Sequence, residues 1–363
     1  MDIFINGKFV TAPRTGVQRV AFEIVKAMDR LKAEGEKETS ALEFTLSCPG
    51  PSSAPLELRQ TKLAIFSKLP ALLWEQIYFP WTSRKGVALN ICNSGPIVRS
   101  RALTVIHDAQ VYITPQSYSK AFRLWYKTIL PIMGRRHKAI VTVSNFSKQK
   151  LVEHGVADAA KITVIYNGVD HILAQPSDSS LLQTLSLTQK RFVVALANTQ
   201  KHKNISVLLK AFADPRLKDL KLVLFGKADA HDFTDILAEG LPDNVLFAGK
   251  ITDSQLRGLL ENALCLGFPS TTEGFGLPIL EAMLLGCPGV VAPCGALPEV
   301  CEEATLYASP DKPEAWTEAF ERLASSDTLW EEMKKKGQIQ GRKFTWERAG
   351  RELASLLTKT FPA

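Results

Sequence analysis

The chain has 363 residues, 45% apolar and 22% charged, which suits a packed core over about two domains and excludes global disorder. No apolar run approaches the ~18 residues of a membrane span, and Met1-Asp2-Ile3-Phe4-Ile5-Asn6-Gly7-Lys8 lacks the basic and then apolar order of a signal peptide, so it reads as a first strand. The net charge of +7 is uneven: residues 51–150 carry 15 basic and 3 acidic side chains, residues 181–363 carry 21 and 23, and the basic part is expected to meet something anionic.

In the first half, strands are expected at 3–5, 44–47, 88–92, 103–106 and 139–143. A helix is expected at 17–31, after Thr15-Gly16, and another at 147–153, after Ser144. Two stretches mix aromatic and basic residues. Residues 69–85 contain Trp74, Tyr78, Phe79, Trp81 and Arg84; residues 122–138 contain Trp125, Tyr126, Met133, Arg135, Arg136 and Lys138. Core packing with a solvated edge accounts for most of these apolar residues; the sharper reading is a peripheral membrane face. Polar residues around Asp178-Ser179-Ser180 mark a change of unit between 168 and 190.

The second half alternates more regularly. Strands are expected at 191–196, 220–225, 245–248, 265–268 and 289–292. Between them come helices at 205–213 with Asn204 as N-cap, at 254–263 capped by Asp253, and at 278–285, stopped by Gly286 and Pro288. Strands separated by helices imply βαβ units and parallel sheets. The expected architecture is α/β, two Rossmann-like doubly wound domains whose ligand sits at the carboxyl ends of the strands, in a central cleft. The six cysteines form no C-x-x-C pair; this argues against a disulfide framework or structural zinc and for a cytoplasmic location. Cys287, Cys294 and Cys301 recur at equal spacing but on different elements, and read as small apolar residues.

The most informative stretch runs from Phe268-Pro269-Ser270-Thr271-Thr272-Glu273 through Gly274-Phe275-Gly276-Leu277-Pro278 to Glu281. A strand ends, two glycines let the backbone approach a ligand, and Pro278 sits at the start of a helix. The N–H groups of Phe275, Gly276 and Leu277 then make an anion site suited to a diphosphate. Carboxylates are repelled by phosphate, so Glu273 and Glu281 are better matched to sugar hydroxyls, Glu281 to those of a ribose.

This pattern, with its two glutamates, resembles the E-x7-E signature of retaining glycosyltransferases of the GT-B fold, in the large group-one or family-four class. Thr15-Gly16-Val17-Gln18-Arg19 resembles the N-terminal loop and helix of that family; Leu73-Trp74-Glu75-Gln76, Asn93-Ser94-Gly95-Pro96, Ile106-His107-Asp108, Thr142-Val143-Ser144-Asn145-Phe146-Ser147 and Asn167-Gly168-Val169-Asp170 resemble a subgroup of bacterial polysaccharide synthesis, and Gly295-Ala296-Leu297-Pro298-Glu299-Val300 and Phe344-Thr345-Trp346-Glu347-Arg348 match as well. The resemblance covers nearly the whole chain. It implies an acceptor-binding domain over 1–175, a donor domain over 176–343, and a final helix over about 344–363 returning to the first domain.

The same resemblance assigns roles. Glu273 would contact the donor sugar and Glu281 the ribose; Gly274, Phe275, Gly276, Leu277 and the loop at Gly16 would hold the diphosphate. Lys203 matches a phosphate-binding lysine, and His107 a histidine beside the reacting carbon. His202 and Asn198 stand about where the family carries arginines, which leaves Arg19 and Lys201 to test as a second cation. Asp229-Ala230-His231-Asp232 is not a D-x-D triplet, so no metal and no cofactor is expected. The expected activity is transfer of a hexose, with mannose favoured, from a nucleoside diphosphate sugar to a glycan or lipid-linked acceptor. The expected partners include an anionic membrane surface, on the inner face of the plasma membrane, but no nucleic acid. Two rivals use the same architecture. A nicotinamide-dependent oxidoreductase needs G-x-G-x-x-G after an early strand, and Gly7 and Gly16 do not form it. A non-catalytic nucleotide-sugar or nucleic-acid binding protein would suit the basic region but not the Glu273, Lys203 and Glu281 set.

Overall fold

The computed structural model describes residues 1–51, 57–66, 69–236 and 240–362. It divides into two compact units, Met1–Gly168 with Phe344–Ala363, and Val169–Lys343. The boundary falls before the expected residue 175 because the turn Asp170–Ala174 carries a histidine that packs into the second unit.

The first unit holds seven strands: β1 (Asp2–Asn6), β2 (Glu43–Cys48), β3 (Lys62–Ile65), β4 (Val87–Asn90), β5 (Ala102–Val105), β6 (Ala139–Thr142) and β7 (Ile162–Val164). All pair in parallel, in the order β3-β2-β1-β4-β5-β6-β7. Strands β4 and β5 are buried along their whole length, as expected for a parallel sheet covered on both faces. Helix α1 (Gly16–Ala33) starts with a reciprocal cap between Thr15 and Gln18 and buries Val20, Ile24, Met28 and Leu31. The C-terminal helix Trp346–Thr360 lies against α1 closely enough that a Cβ on Gly350 would sit 3.2 Å from that of Ala27. Helices α2 (Lys120–Arg136) and α3 (Asn145–Glu153) complete the framework.

The second unit holds β8 (Phe192–Ala197), β9 (Lys221–Gly226), β10 (Val245–Gly249), β11 (Cys265–Phe268), β12 (Gly289–Val291) and β13 (Leu306–Tyr307), again all parallel, in the order β10-β9-β8-β11-β12-β13. Its helices are α4 (Ile205–Phe212), α5 (Asp253–Asn262), α6 (Leu277–Leu284), α7 (Pro313–Ser325) and α8 (Asp327–Gly341). Leu208, Phe212, Trp316 and Phe320 fill the core between the sheet and its helices. Two expected caps are corrected. Thr252, not Asp253, caps α5, because it can trade hydrogen bonds with Gln255. Asn204 precedes α4 in a left-handed conformation (φ +52°) and makes no side-chain cap.

In each sheet the strand order reverses once, between β1 and β4 and between β8 and β11. In doubly wound sheets the connecting loops part to opposite faces at such a reversal, and the carboxyl ends of the strands there are the usual ligand position.

Candidate active site

The loops after β8 and β11 flank the switch point of the second sheet, and they carry most of the expected site. After β8, the Asn198 side chain accepts the Gln200 N–H (2.8 Å), turning the chain toward Lys201–Lys203. Asn204 then donates its Nδ2 to the carbonyls of Pro269 (3.3 Å) and Pro310 (2.8 Å). The His202 carbonyl accepts the Thr271 N–H at 2.8 Å. These bonds stitch the two loops together, and Lys203 Nζ comes 2.7 Å from Glu273 Oε1 although the two are 70 residues apart in sequence. Both side chains are largely buried, so each depends on the other to offset the cost of taking its charge out of water.

Behind Glu273 the chain passes Gly295, in a left-handed conformation (φ +63°), where any Cβ would collide with the Glu273 backbone. Ala296 N–H donates to the Glu273 carbonyl at 3.0 Å. The segment from Gly295 to Val300 is therefore the platform on which Glu273 rests. Phe275 is buried and Gly276 turns the backbone at φ +104° into α6. The first N–H groups of a helix have no partner within it, so the start of α6 favours an anion. Glu281, one turn further, is buried, with its Oε1 3.0 Å from Nε2 of His171, also buried. Residues Asn198, Lys203, Glu273, Gly274, Phe275, Gly276, Leu277 and Glu281 thus all belong to the second unit, on the two loops and the helix that frame its switch point. His171 was not foreseen. It directly follows the Asn167-Gly168-Val169-Asp170 motif, but a lone histidine after a turn carries no signal until the fold brings it to Glu281.

His202 does not replace a cation. Burial, helped by the neighbouring Lys203, pushes its imidazole down to about 4, so it is neutral at ordinary pH. Lys201 is exposed. Asp229, His231 and Asp232 are exposed as well, in a turn closed by their own side chains.

Gly16, Arg19 and His107 lie in the first unit. Gly16 opens α1 and is exposed; Arg19 is half-buried one turn on. His107 follows β5 and is buried. Its Nε2–H donates to the Ile91 carbonyl (2.7 Å), its main-chain N–H to Asn93 Oδ1 (2.7 Å), and its carbonyl accepts Ser147 Oγ–H (3.1 Å). Burial pushes the ring down to about 4. The imidazole is therefore a neutral, fixed part of the strand end rather than a proton carrier.

A family model for glycosyl transferases group 1 matches residues 181–340, and one for glycosyltransferase family 4 matches residues 86–172. The chain is a group-one glycosyltransferase. Its two parallel-sheet units have the GT-B fold. The solved structure of Alr3699/HepE from Anabaena in complex with UDP-glucose superposes with a TM-score of 0.74 over 99% of each chain, at 19% identity. The O-antigen chain mannosyltransferase RfbU of Salmonella typhimurium is 26% identical over 267 residues, 71% of this glycosyltransferase and 72% of that one. The GDP-mannose:cellobiosyl-diphosphopolyprenol alpha-mannosyltransferase of Komagataeibacter xylinus is 28% identical over 169 residues, 45% of this chain and 40% of that one. No described helix is long and apolar enough to cross a membrane.

Proposed function

We propose that this glycosyltransferase moves a hexose, with mannose favoured, from a nucleoside diphosphate sugar to a glycan or lipid-linked acceptor in bacterial surface polysaccharide synthesis. The reaction retains anomeric configuration and needs no metal. The observation that carries the reading is the convergence of Lys203, Glu273, the start of α6 and Glu281 on one switch point. Glycosyl transfer breaks the C1–O bond of the donor while negative charge grows on the leaving diphosphate. An ammonium and a helix N-terminus placed together stabilise that charge, as a metal would elsewhere. Glu273 takes donor-sugar hydroxyls and orients Lys203, and Glu281, steadied by His171, takes ribose hydroxyls. The acceptor oxygen bonds to C1 on the face the diphosphate leaves, and its proton passes to a phosphate oxygen. Mannose as the transferred sugar is supported by the named activities of the two mannosyltransferase relatives, and a nucleoside diphosphate by the UDP-glucose of the structural neighbour.

The first unit would face the acceptor and, through its basic residues, the inner face of the plasma membrane. Leu72, Ile77, Trp81, Phe122 and Leu124 are exposed there.

A thermal-shift series with GDP, UDP and their sugars, with magnesium or with a chelator, tests the reading. A true donor raises the melting temperature by binding the folded form, equally in both conditions. Glu281→Ala is expected to shrink that rise; Glu273→Ala is expected to keep most of it and lose turnover by about a hundredfold or more. Turnover that survives both substitutions would refute the assignment.

A further inference from the structure

The switch point of the first sheet carries a second built site. Glu75 is fully buried, on the five-residue π-helical turn Trp74–Tyr78. Such turns are rare and concentrate at functional sites. Its Oε1 accepts Asn6 Nδ2 (3.0 Å) and Ser94 Oγ–H (2.8 Å); its Oε2 accepts Lys8 Nζ (2.8 Å) and Gln76 Nε2 (3.4 Å). Asn6 ends β1, Lys8 follows it, and Ser94 lies on the loop after β4, so one carboxylate ties together the strand ends on either side of the reversal. The network continues inward. Asn6 Nδ2 also donates to Asn90 Oδ1, Asn90 Nδ2 to Thr104 Oγ1, Thr104 Oγ1–H to His137 Nδ1, and His137 Nε2–H to the Pro96 carbonyl.

Glu75 has no oxygen left over, so it cannot serve as a base toward substrate. Its effect is to aim Lys8. That ammonium spends one hydrogen on Glu75 and a second, long bond of 3.5 Å on Ser94 Oγ; it has no further partner among the described residues, and its side chain is 30% exposed. A buried carboxylate is costly, and packed apolar residues would hold the strands together at least as well. The fold keeps the charge where ligands bind in such sheets and leaves the cation half-open to solvent. The neighbouring Gln76 holds the loop after β4, against which His107 rests: its Nε2 donates to the Gly95 carbonyl (3.0 Å), its Oε1 accepts the Ile97 N–H (3.1 Å), and Asn93 Oδ1 on the same loop accepts the His107 N–H. A Cβ on Gly95 would meet the Asn90 side chain at 2.5 Å, so the loop closes directly over the network.

We propose that Lys8, aimed by Glu75, binds a phosphate group of the acceptor. The proposal deepens the glycosyltransferase reading and rests on it for the word acceptor. It accords with the excess of basic residues over 51–150 and with the diphosphopolyprenol named for one relative.

The test is calorimetric titration of the full chain at fixed ionic strength with farnesyl diphosphate, inorganic phosphate and farnesol. The proteins are the wild type, Lys8→Met, Lys8→Arg, the double variant Lys8→Met with Glu75→Gln, and Lys203→Met. Farnesyl diphosphate is expected to bind the wild type and Lys203→Met alike. It should lose about tenfold or more in affinity with Lys8→Met and with the double variant, and less than about threefold with Lys8→Arg. The double variant removes both charges together, so it still reports if Lys8→Met alone fails to fold. Inorganic phosphate that shows the same Lys8 dependence supports a general phosphate site; dependence with farnesyl diphosphate alone supports a lipid-linked one. Undiminished binding in a folded Lys8 variant, equal binding of farnesol, or a loss confined to Lys203→Met overturns the proposal. Nucleotide binding in the same proteins keeps the two readings apart: a wild type that ignores GDP and UDP defeats the donor site and leaves the Lys8 comparison standing.

Discussion

Gly276 shows how one residue can hold a site together. Its φ of +104° suits glycine, and a Cβ would come within 2.8 Å of Leu297 Cδ2. Gly276→Ala is therefore expected to cost about 1–2 kcal/mol of stability. By tilting the start of α6 it should also weaken nucleotide binding by about tenfold. Urea titration and nucleotide titration of the same protein check both; a stability loss with unchanged affinity would detach the helix start from the site. This part of the site was legible in the sequence because geometry restricts residue type: only glycine tolerates the turn, and proline suits the first turn that follows. Lys203 was legible only through family resemblance, since a lysine after a strand is ordinary. His171 was not legible, because its partner Glu281 is supplied by the tertiary fold.

Strands buried on both faces, such as β4, β5, β8 and β11, announce themselves as apolar runs, and each was expected within a residue or two. Strand β3 was not: all four of its residues are exposed, and it lies at the edge of the sheet. Its position is set from outside. The buried Asp29 carboxylate on α1 accepts the N–H groups of Arg59 (2.7 Å), Gln60 (2.9 Å) and Thr61 (2.6 Å), the three residues that lead into β3. Burial pushes this carboxyl up, but the three N–H groups outweigh it and hold the group below its ordinary 3.8. The bonds thus add stability that is complete above pH 3.8 and is lost as the pH falls through the lower, folded value. Asp29→Ala is expected to cost about 2–3 kcal/mol, since it leaves three donors near the core without partners. The test is amide hydrogen exchange, which should quicken at 59–65 and leave β4 and β5 protected. Unchanged exchange at 62–65 would mean that β3 is held by its ladder with β2 alone.

At the scale of the whole molecule, alternation of strands and helices made two doubly wound units legible, and the charge tally made their asymmetry legible. The tally could not say which apolar residues of the basic unit are core. Helix α2 divides along its length: Phe122 and Leu124 are exposed near its start, beside Arg123 and Lys127, whereas Ile129, Leu130 and Met133 are buried. The turn from Ala71 to Lys85 divides likewise, burying Trp74 and Phe79 and exposing Leu72, Ile77 and Trp81, the last with Arg84 stacked 4.7 Å from its ring. Exposed aromatic and aliphatic residues interleaved with cations are what an anionic bilayer surface attracts. Each basic side chain at such a surface contributes about 1 kcal/mol, so reversing Arg135, Arg136 and Lys138 to glutamate should lower partitioning onto phosphatidylglycerol vesicles by about a hundredfold or more. Leu124→Ser should lower it less, and raised salt should release the wild type. Nucleotide binding, which we propose for the other unit, should not change. Vesicle sedimentation with the triple variant as tightly bound as the wild type would leave the charge excess to the acceptor alone.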